Sequence, residues 1–274
     1  MVDVKTCPAF DASQVFDQIK EQWQQWAKDN GFTKFVVGIS GGVDSACVAA
    51  LAAGIFGKEN VTGVTLPRDG NQDIIESDAI INLLGINHVN IDIGDAFASL
   101  TNGIENNGIT PSSVCKINMP ARLRMVALYG VAQSIGACVL NTCNRSESVV
   151  GNDTLWGDDC GSYAPIQSLT KGEVIKLASY IGIPDWLALK PPTDGLQPLT
   201  DEQRLGVTYN EIDAFIRDPS TIETGTYAKI LEMYNKNKFK LEMVHIEGPK
   251  LLNLKDCTND KSFDADYKPV WSLT

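Results

Sequence analysis

Histidine is almost absent from this chain: His88 and His245 are the only two in 274 residues. None of the seven cysteines (Cys7, Cys47, Cys115, Cys138, Cys143, Cys160 and Cys257) forms a C-x-x-C pair. Zinc sites built from paired Cys and His at finger spacing are therefore excluded. An odd set of unpaired cysteines points to reduced thiols. Long apolar runs are missing too. The longest candidate, Ala46 to Phe56, falls well short of the ~20 residues that cross a bilayer. The N-terminal stretch MVDVKTCPAF has no basic segment followed by an apolar core, the mark of a secretory signal. A cytoplasmic chain without membrane contact is expected. Basic residues are outnumbered, with 23 Lys plus Arg against 34 Asp plus Glu and a net charge of −11. Such an acidic surface repels nucleic acid at long range, while a local basic pocket for a small anion remains compatible with it.

What is present is the pattern of an α/β protein. Lys34–Ile39 (KFVVGI) is short, β-branched and apolar on both faces, as in a strand covered by helices on two sides. Strands are expected again at 61–66, 88–91 and 137–141, alternating with helices at 11–29, 46–56, 72–84, 93–104 and 119–135. This alternation predicts a Rossmann-like parallel sheet with helices on both faces. Pro120 is expected in the first turn of the 119–135 helix, after a loop over 106–118. Residues 151–165 (GNDTLWGDDCGSYAP) carry little periodicity and read as a long loop of the kind that serves as a lid. Further helices are expected at 171–181, 209–217 and 221–234, with a proline-rich connector over 190–203. No repeat or linker divides the chain, so a single domain over 1–274 is predicted.

The most informative stretch is GISGGVDS, Gly38 to Ser45, between the first strand and its helix. Gly41 and Gly42 permit backbone angles closed to other residues and let an anion approach the main chain. The free N–H groups at the helix start, with the helix dipole behind them, favour phosphate, and Ser40 and Ser45 add hydroxyls. Asp44 is the odd member, because a carboxylate beside a phosphate is repulsive unless a cation lies between them. That pattern points to Mg²⁺. There is no G-x-x-x-x-G-K-[ST] and no G-x-G-x-x-G, so neither the P-loop nor the dinucleotide fingerprint is present.

SGGVDS resembles the pyrophosphate loop of the ATP-pyrophosphatase superfamily, with its adenine nucleotide alpha-hydrolase-like fold. Further blocks narrow the resemblance: VTLP at 64–67, PARLRM at 120–125, LNTCNRSESV at 140–149, SLTKGEVIKLA at 168–178, KPPTDGL at 190–196 and TDEQRLGVTYNEID at 200–213. In order and spacing this series is similar to NAD synthetase. The resemblance implies a ligase that adenylates the nicotinate carboxylate of deamido-NAD with ATP and amidates it with ammonia. It implies ATP contacts at Gly38, Ser40, Gly41, Gly42, Val43, Asp44, Ser45, Thr142, Lys171 and Thr193. It also implies Mg²⁺ on Asp44 and Glu147, and deamido-NAD contacts at Arg122, Asp158 and Lys240. Asp44, Lys171 and Asp158 are the implied catalytic groups, and a homodimer is the implied assembly.

The residue types suit these roles. Lys171 is a point charge for a triphosphate, and a cation in the first turn of a helix is unfavourable unless an anion lies near it. Arg122 can pair bidentately with a phosphate or carboxylate. Only one helix fits before residue 34, so free ammonia, or ammonia from a partner, is expected in place of a glutaminase domain. Leu155, Ser162 and Phe239 depart from the family pattern, all in its deamido-NAD half. Two other readings stay open on the sequence: a different adenylating amidotransferase such as GMP synthetase, and an ATP-binding sensor without turnover.

Overall fold

A computed structural model of the chain describes residues 10–68, 74–190 and 200–242. Four parallel strands form the sheet: β1 (Phe35–Gly38), β2 (Val61–Thr65), β3 (Asn87–Asn90) and β4 (Cys138–Val139). Their order is β3-β2-β1-β4. The chain therefore steps outward from β1 to β3, then returns to the other side of β1 with β4. The reversal leaves a crevice at the C-terminal ends of β1 and β4, the place where open α/β sheets bind ligands.

Period-two alternation along β1 divides the core. Phe35 and Val37 face one layer with Trp23, Leu51, Leu177 and Ile212, whereas Val36 faces the other with Val64, Leu128 and Val139. The first layer is covered by α1 (Ala12–Asn30), α2 (Val43–Phe56), α3 (Ile74–Leu84), α7 (Lys171–Tyr180) and α10 (Tyr209–Arg217). The second is covered chiefly by α5 (Ser113–Ile135), which α4 (Gly94–Glu105) flanks. Asp11 starts α1 by accepting from Ser13 N and Gln14 N, and Gly31 ends it at φ 73°. The expected Rossmann-like architecture is thus present.

Four expectations need correction. The helix expected from 119 begins at Ser113, and Pro120 lies inside it, not in its first turn. Ser112 is the cap, accepting from Cys115 N, so the predicted 106–118 loop is shorter. The fourth strand pairs over two residues only, and a parallel bridge from Leu140 to Tyr163 continues its edge. Gly161 permits this close approach: at φ 136°, a Cβ there would lie 2.6 Å from Asn141 N. Finally, α9 (Asp201–Leu205) is a helix inside the expected 190–203 connector, and α6 (Arg145–Val150) and α8 (Asp185–Ala188) are short helices in stretches for which no element was predicted. Beyond α10 the chain continues through α11 (Thr224–Asn237) and α12 (Phe239–Glu242). Among the described residues no helix is long and apolar enough to cross a membrane.

Candidate active site

The turn after β1 has Gly41 at φ 82°, a left-handed conformation that a side chain would strain. It is braced from within. Ser45 donates its hydroxyl to Gly42 O at 3.0 Å and accepts from Ser40 N at 3.3 Å, and Gly42 N donates to Ser40 Oγ at 3.3 Å. Helix α2 starts on Gly42 with no side-chain cap. Its first-turn N–H groups face the crevice as anion donors. Asp44 stands on that same turn.

The second wall comes from β4 and α6. Asn141 Oδ1 accepts from Cys143 N at 2.7 Å and shapes the turn. Asn144 then caps α6 in a capping box with Glu147. Asn144 Oδ1 accepts from Glu147 N at 3.0 Å, and Glu147 Oε2 accepts from Asn144 N at 3.2 Å. Asn144 Nδ2 also donates to Asp44 Oδ1 at 2.8 Å, tying the two walls together. The box occupies one oxygen of Glu147 and leaves Oε1 for the crevice.

Lys171 closes the arrangement from the first turn of α7, which Thr170 caps in a second box with Glu173. Its ammonium donates to Asp44 Oδ2 at 2.5 Å and to Glu147 Oε1 at 3.1 Å, and lies 5.0 Å from the centre of the Tyr209 ring. The Lys171 side chain is 3% exposed. Burial alone would lower its pKa, but Asp44 and Glu147 outweigh that and hold the ammonium well above its ordinary range. Burial pushes the Glu147 carboxyl up, and Lys171 pulls it back. Three residues predicted from separate blocks of sequence therefore meet at one point.

These groups open onto a cavity of about 500 Å³. Its wall carries the cations Arg124, Lys171, Lys190, Arg204 and Lys240 and the carboxylates Asp44, Glu147, Asp153, Asp158 and Asp201. Among the described residues the lining charges balance, in a chain whose net charge is −11, so anionic ligands meet far less repulsion inside than outside. Gly38, Ser40, Gly41, Gly42, Val43, Ser45 and Thr142 also line it. Thr193 lies outside the described residues.

The predicted acceptor contacts are less concentrated. Asp158 lines the cavity and accepts from Thr154 N at 2.8 Å. The residue is exposed to the cavity, yet the protein around its carboxyl removes enough hydration to push it up to about 6. Lys240 reaches the wall with its donors already engaged, to Gly151 O at 2.9 Å, Asp153 O at 2.7 Å and Asp153 Oδ1 at 2.8 Å. Arg122 sits outside the cavity lining and donates to Leu155 O at 3.4 Å, while Arg124, two residues on, lines the cavity. Leu155 is bridged to Asp159 within the 151–165 segment, and Ser162 N donates to Val139 O beside β4. Burial pushes the thiols of Cys138 and Cys160 up to about 12, so they stay protonated and unreactive.

The sequence reading missed Asn144, Ser146, Tyr209 and Asp213. Asn144 was visible as the first member of an N-x-x-E capping box; the others answer to no local pattern.

Residues 15–244 match the NAD synthase family. The chain is 38% identical over 206 residues to the NH(3)-dependent NAD(+) synthetase of Pyrococcus horikoshii, covering 73% of this chain and 77% of that one. It is 31% identical over 232 residues to the NH(3)-dependent NAD(+) synthetase of Finegoldia magna, covering 82% of this chain and 95% of that one. Among solved structures, NMN synthetase from Francisella tularensis superposes with a TM-score of 0.81 at 31% identity, covering 88% of this chain and all of the other. NH3-dependent NAD synthetase from Campylobacter jejuni superposes with a TM-score of 0.72 at 25% identity, covering 87% of this chain.

Proposed function

This chain belongs to the NAD synthase family, and from that membership we propose an ammonia-dependent, AMP-forming ligase that converts deamido-NAD to NAD. The observation that carries the reading is the convergence of Asp44, Glu147 and Lys171 beside the uncapped start of α2. Polyphosphate, a cation and an acceptor carboxylate can be brought together there.

The reaction has two steps. A carboxylate oxygen of the nicotinate ring attacks the α-phosphorus of ATP, and the bond to the bridging oxygen breaks to release pyrophosphate. Ammonia then attacks the activated carbonyl, loses a proton, and AMP leaves. The α2 N–H groups and Lys171 stabilise charge on the phosphates, and binding orients the two reactants. Asp158, ionised above pH about 6, takes the proton from ammonia in this reading. The 151–165 segment closes the acceptor side and limits hydrolysis of the adenylate.

Asp44 and Glu147 are the residues that would hold Mg²⁺, which neutralises phosphate charge when bound. Two hard oxygen donors suit this ion, because Mg²⁺ commonly takes one or two carboxylates and completes its shell with water and substrate phosphates. The ammonium lying between the two carboxylates supports the fit, since that point already favours positive charge. We extend the reading to a homodimer, as the family resemblance implies, with the exposed Val126 of α5 in its interface. Cys47, Cys115, Cys138, Cys143 and Cys160 are free thiols, in keeping with a cytoplasmic setting.

A second acceptor is favoured by one observation: the likeness to an NMN synthetase, at a TM-score of 0.81. Nicotinate mononucleotide carries the same reacting carboxylate and lacks the adenylyl half of deamido-NAD. The deciding experiment supplies ATP, Mg²⁺ and ammonium with deamido-NAD, nicotinate mononucleotide or xanthosine monophosphate. Ammonium-dependent NAD and AMP with deamido-NAD is the expected outcome. Preference for the mononucleotide would transfer the assignment to the second reading, and no product with any acceptor would overturn both.

A further inference from the structure

Lys171 sets its ammonium between Asp44 and Glu147, where positive charge is needed. We propose that its ammonium holds the divalent-cation position between Asp44 and Glu147 until a nucleotide polyphosphate arrives, so that bare metal is refused and metal enters with its nucleotide. The inference rests on reading Asp44 and Glu147 as the metal carboxylates.

Three features of the geometry carry it. First, the ammonium bridges the two carboxylates directly, at 2.5 and 3.1 Å, through the Glu147 oxygen that the capping box leaves free. A metal on the same oxygens would stand against it, cation on cation, in a site with little water to screen them. Second, the ammonium is stripped of most of its hydration where it lies. The Lys171 side chain is 3% exposed, and its Nζ lies 5.0 Å from the centre of the buried Tyr209 ring. Leaving the carboxylates therefore requires another anion within reach. Third, the cavity offers that anion a seat at the turn from Ser40 to Ser45 and the uncapped start of α2. A triphosphate seated there gives the ammonium a new partner and frees both carboxylates. Metal and nucleotide binding are thereby coupled through one side chain, and the coupling is reciprocal.

The proposal is tested by counting bound Mn²⁺ from the loss of the free-ion electron paramagnetic resonance signal, on nucleotide-free protein. Wild type, Lys171→Met and Lys171→Met/Asp44→Asn are compared, with thermal melts in parallel. Methionine keeps the stem against Tyr209 and removes the charge. The expected result is one Mn²⁺ per chain in Lys171→Met, at least about tenfold tighter than in wild type, and its loss in the double variant. Mn²⁺ should raise the melting temperature of Lys171→Met and leave that of wild type in place. Equal Mn²⁺ affinity in wild type and Lys171→Met would overturn the proposal, as would a folded Lys171→Met chain that binds none. If Lys171→Met fails to fold, wild type and Asp44→Asn decide the matter. Tight nucleotide-free binding to wild type that Asp44→Asn lacks overturns the proposal; its absence until a non-hydrolysable ATP analogue is added supports it. NAD formation by wild type is measured separately, so failure of the ligase reading is distinguishable from failure of the coupling.

Discussion

Ser146 donates its hydroxyl to Asp213 at 2.5 Å across 67 residues of sequence, and accepts from Lys171 N at 3.0 Å. The other oxygen of Asp213 accepts from Gly172 N at 2.8 Å. One carboxylate on α10 therefore fixes the residue before Glu147 and the backbone of Lys171 and Gly172. It also puts negative charge at the start of α7, where the helix dipole favours it. Removing it in Asp213→Ala leaves a buried hydroxyl and a buried amide without acceptors, about 1–3 kcal/mol each. The melting temperature and the rate of AMP formation should fall together, with Asp213→Asn milder on both. A calorimetric scan beside an AMP assay checks this, and an unchanged melt in Asp213→Ala would count against it.

Asp44→Ala should abolish pyrophosphate release and leave the chain folded, because Lys171 keeps Glu147 as a partner at 3.1 Å. Full turnover in this variant would rule out the metal role of Asp44. A coupled pyrophosphate assay, with far-ultraviolet circular dichroism as the folding control, reads both.

Lys171→Met should become less stable as pH rises. Without the ammonium, the Glu147 carboxyl keeps the burial that raises its folded-state pKa and loses the Lys171 attraction that lowers it. Folding then takes up protons, so stability is retained at low pH and lost as pH climbs through the folded value. Removing one partner of a buried pair costs about 3–5 kcal/mol. The deficit against wild type should approach that figure at about pH 8 and narrow towards about pH 5. Melts across this range in metal-free buffer measure it.

The Asp158 carboxyl, pushed up to about 6, should give amide formation an acid limb. Below that pH the group is protonated and cannot accept from ammonia; above it the base is available. The limb should vanish in Asp158→Asn, with kcat lowered throughout. An identical limb in wild type and variant would assign it elsewhere. Rates are compared at constant free ammonia.

The proposed homodimer through α5 should be disrupted by Val126→Glu. Val126 is 61% exposed, so the substitution costs the single chain little. Light scattering should give twice the chain mass for wild type and the chain mass for the variant. A monomeric wild type would remove the assignment.

How far the sequence spoke depends on how local each signal is. The turn from Gly38 to Ser45 was legible because a β-branched run, paired glycines and an apolar helix follow one another without interruption. The start of α5 was misread because Pro120 looks like a first-turn residue, whereas Ser112 is the cap and the proline is absorbed inside the helix. Helix α6 is only six residues long, too short for periodicity to register. The resemblance paired Asp44 with Glu147, but nothing in the sequence predicted that Lys171 would bridge them. A first-turn lysine on α7 implied a nearby anion, and the structure supplies two, Asp44 and Glu147, with the Asp213 carboxylate on the neighbouring Gly172 amide. No spacing rule links positions 44, 147, 171 and 213.

The strand order has a consequence for the nascent chain. β1, β2 and β3 emerge from the ribosome in sequence and can pair at once. A chain synthesised that far owns the phosphate turn but has neither Glu147 nor Lys171. β4 must then be inserted on the open flank of β1, and α7 and α10 must follow before Asp44 acquires a counter-charge and Ser146 its acceptor. Long-range closures of this kind come late. ATP should therefore act as a ligand of the finished molecule and not as a template for the half-made one, and a chain stopped between β3 and β4 should leave an unpartnered β1 edge as a surface for misassociation.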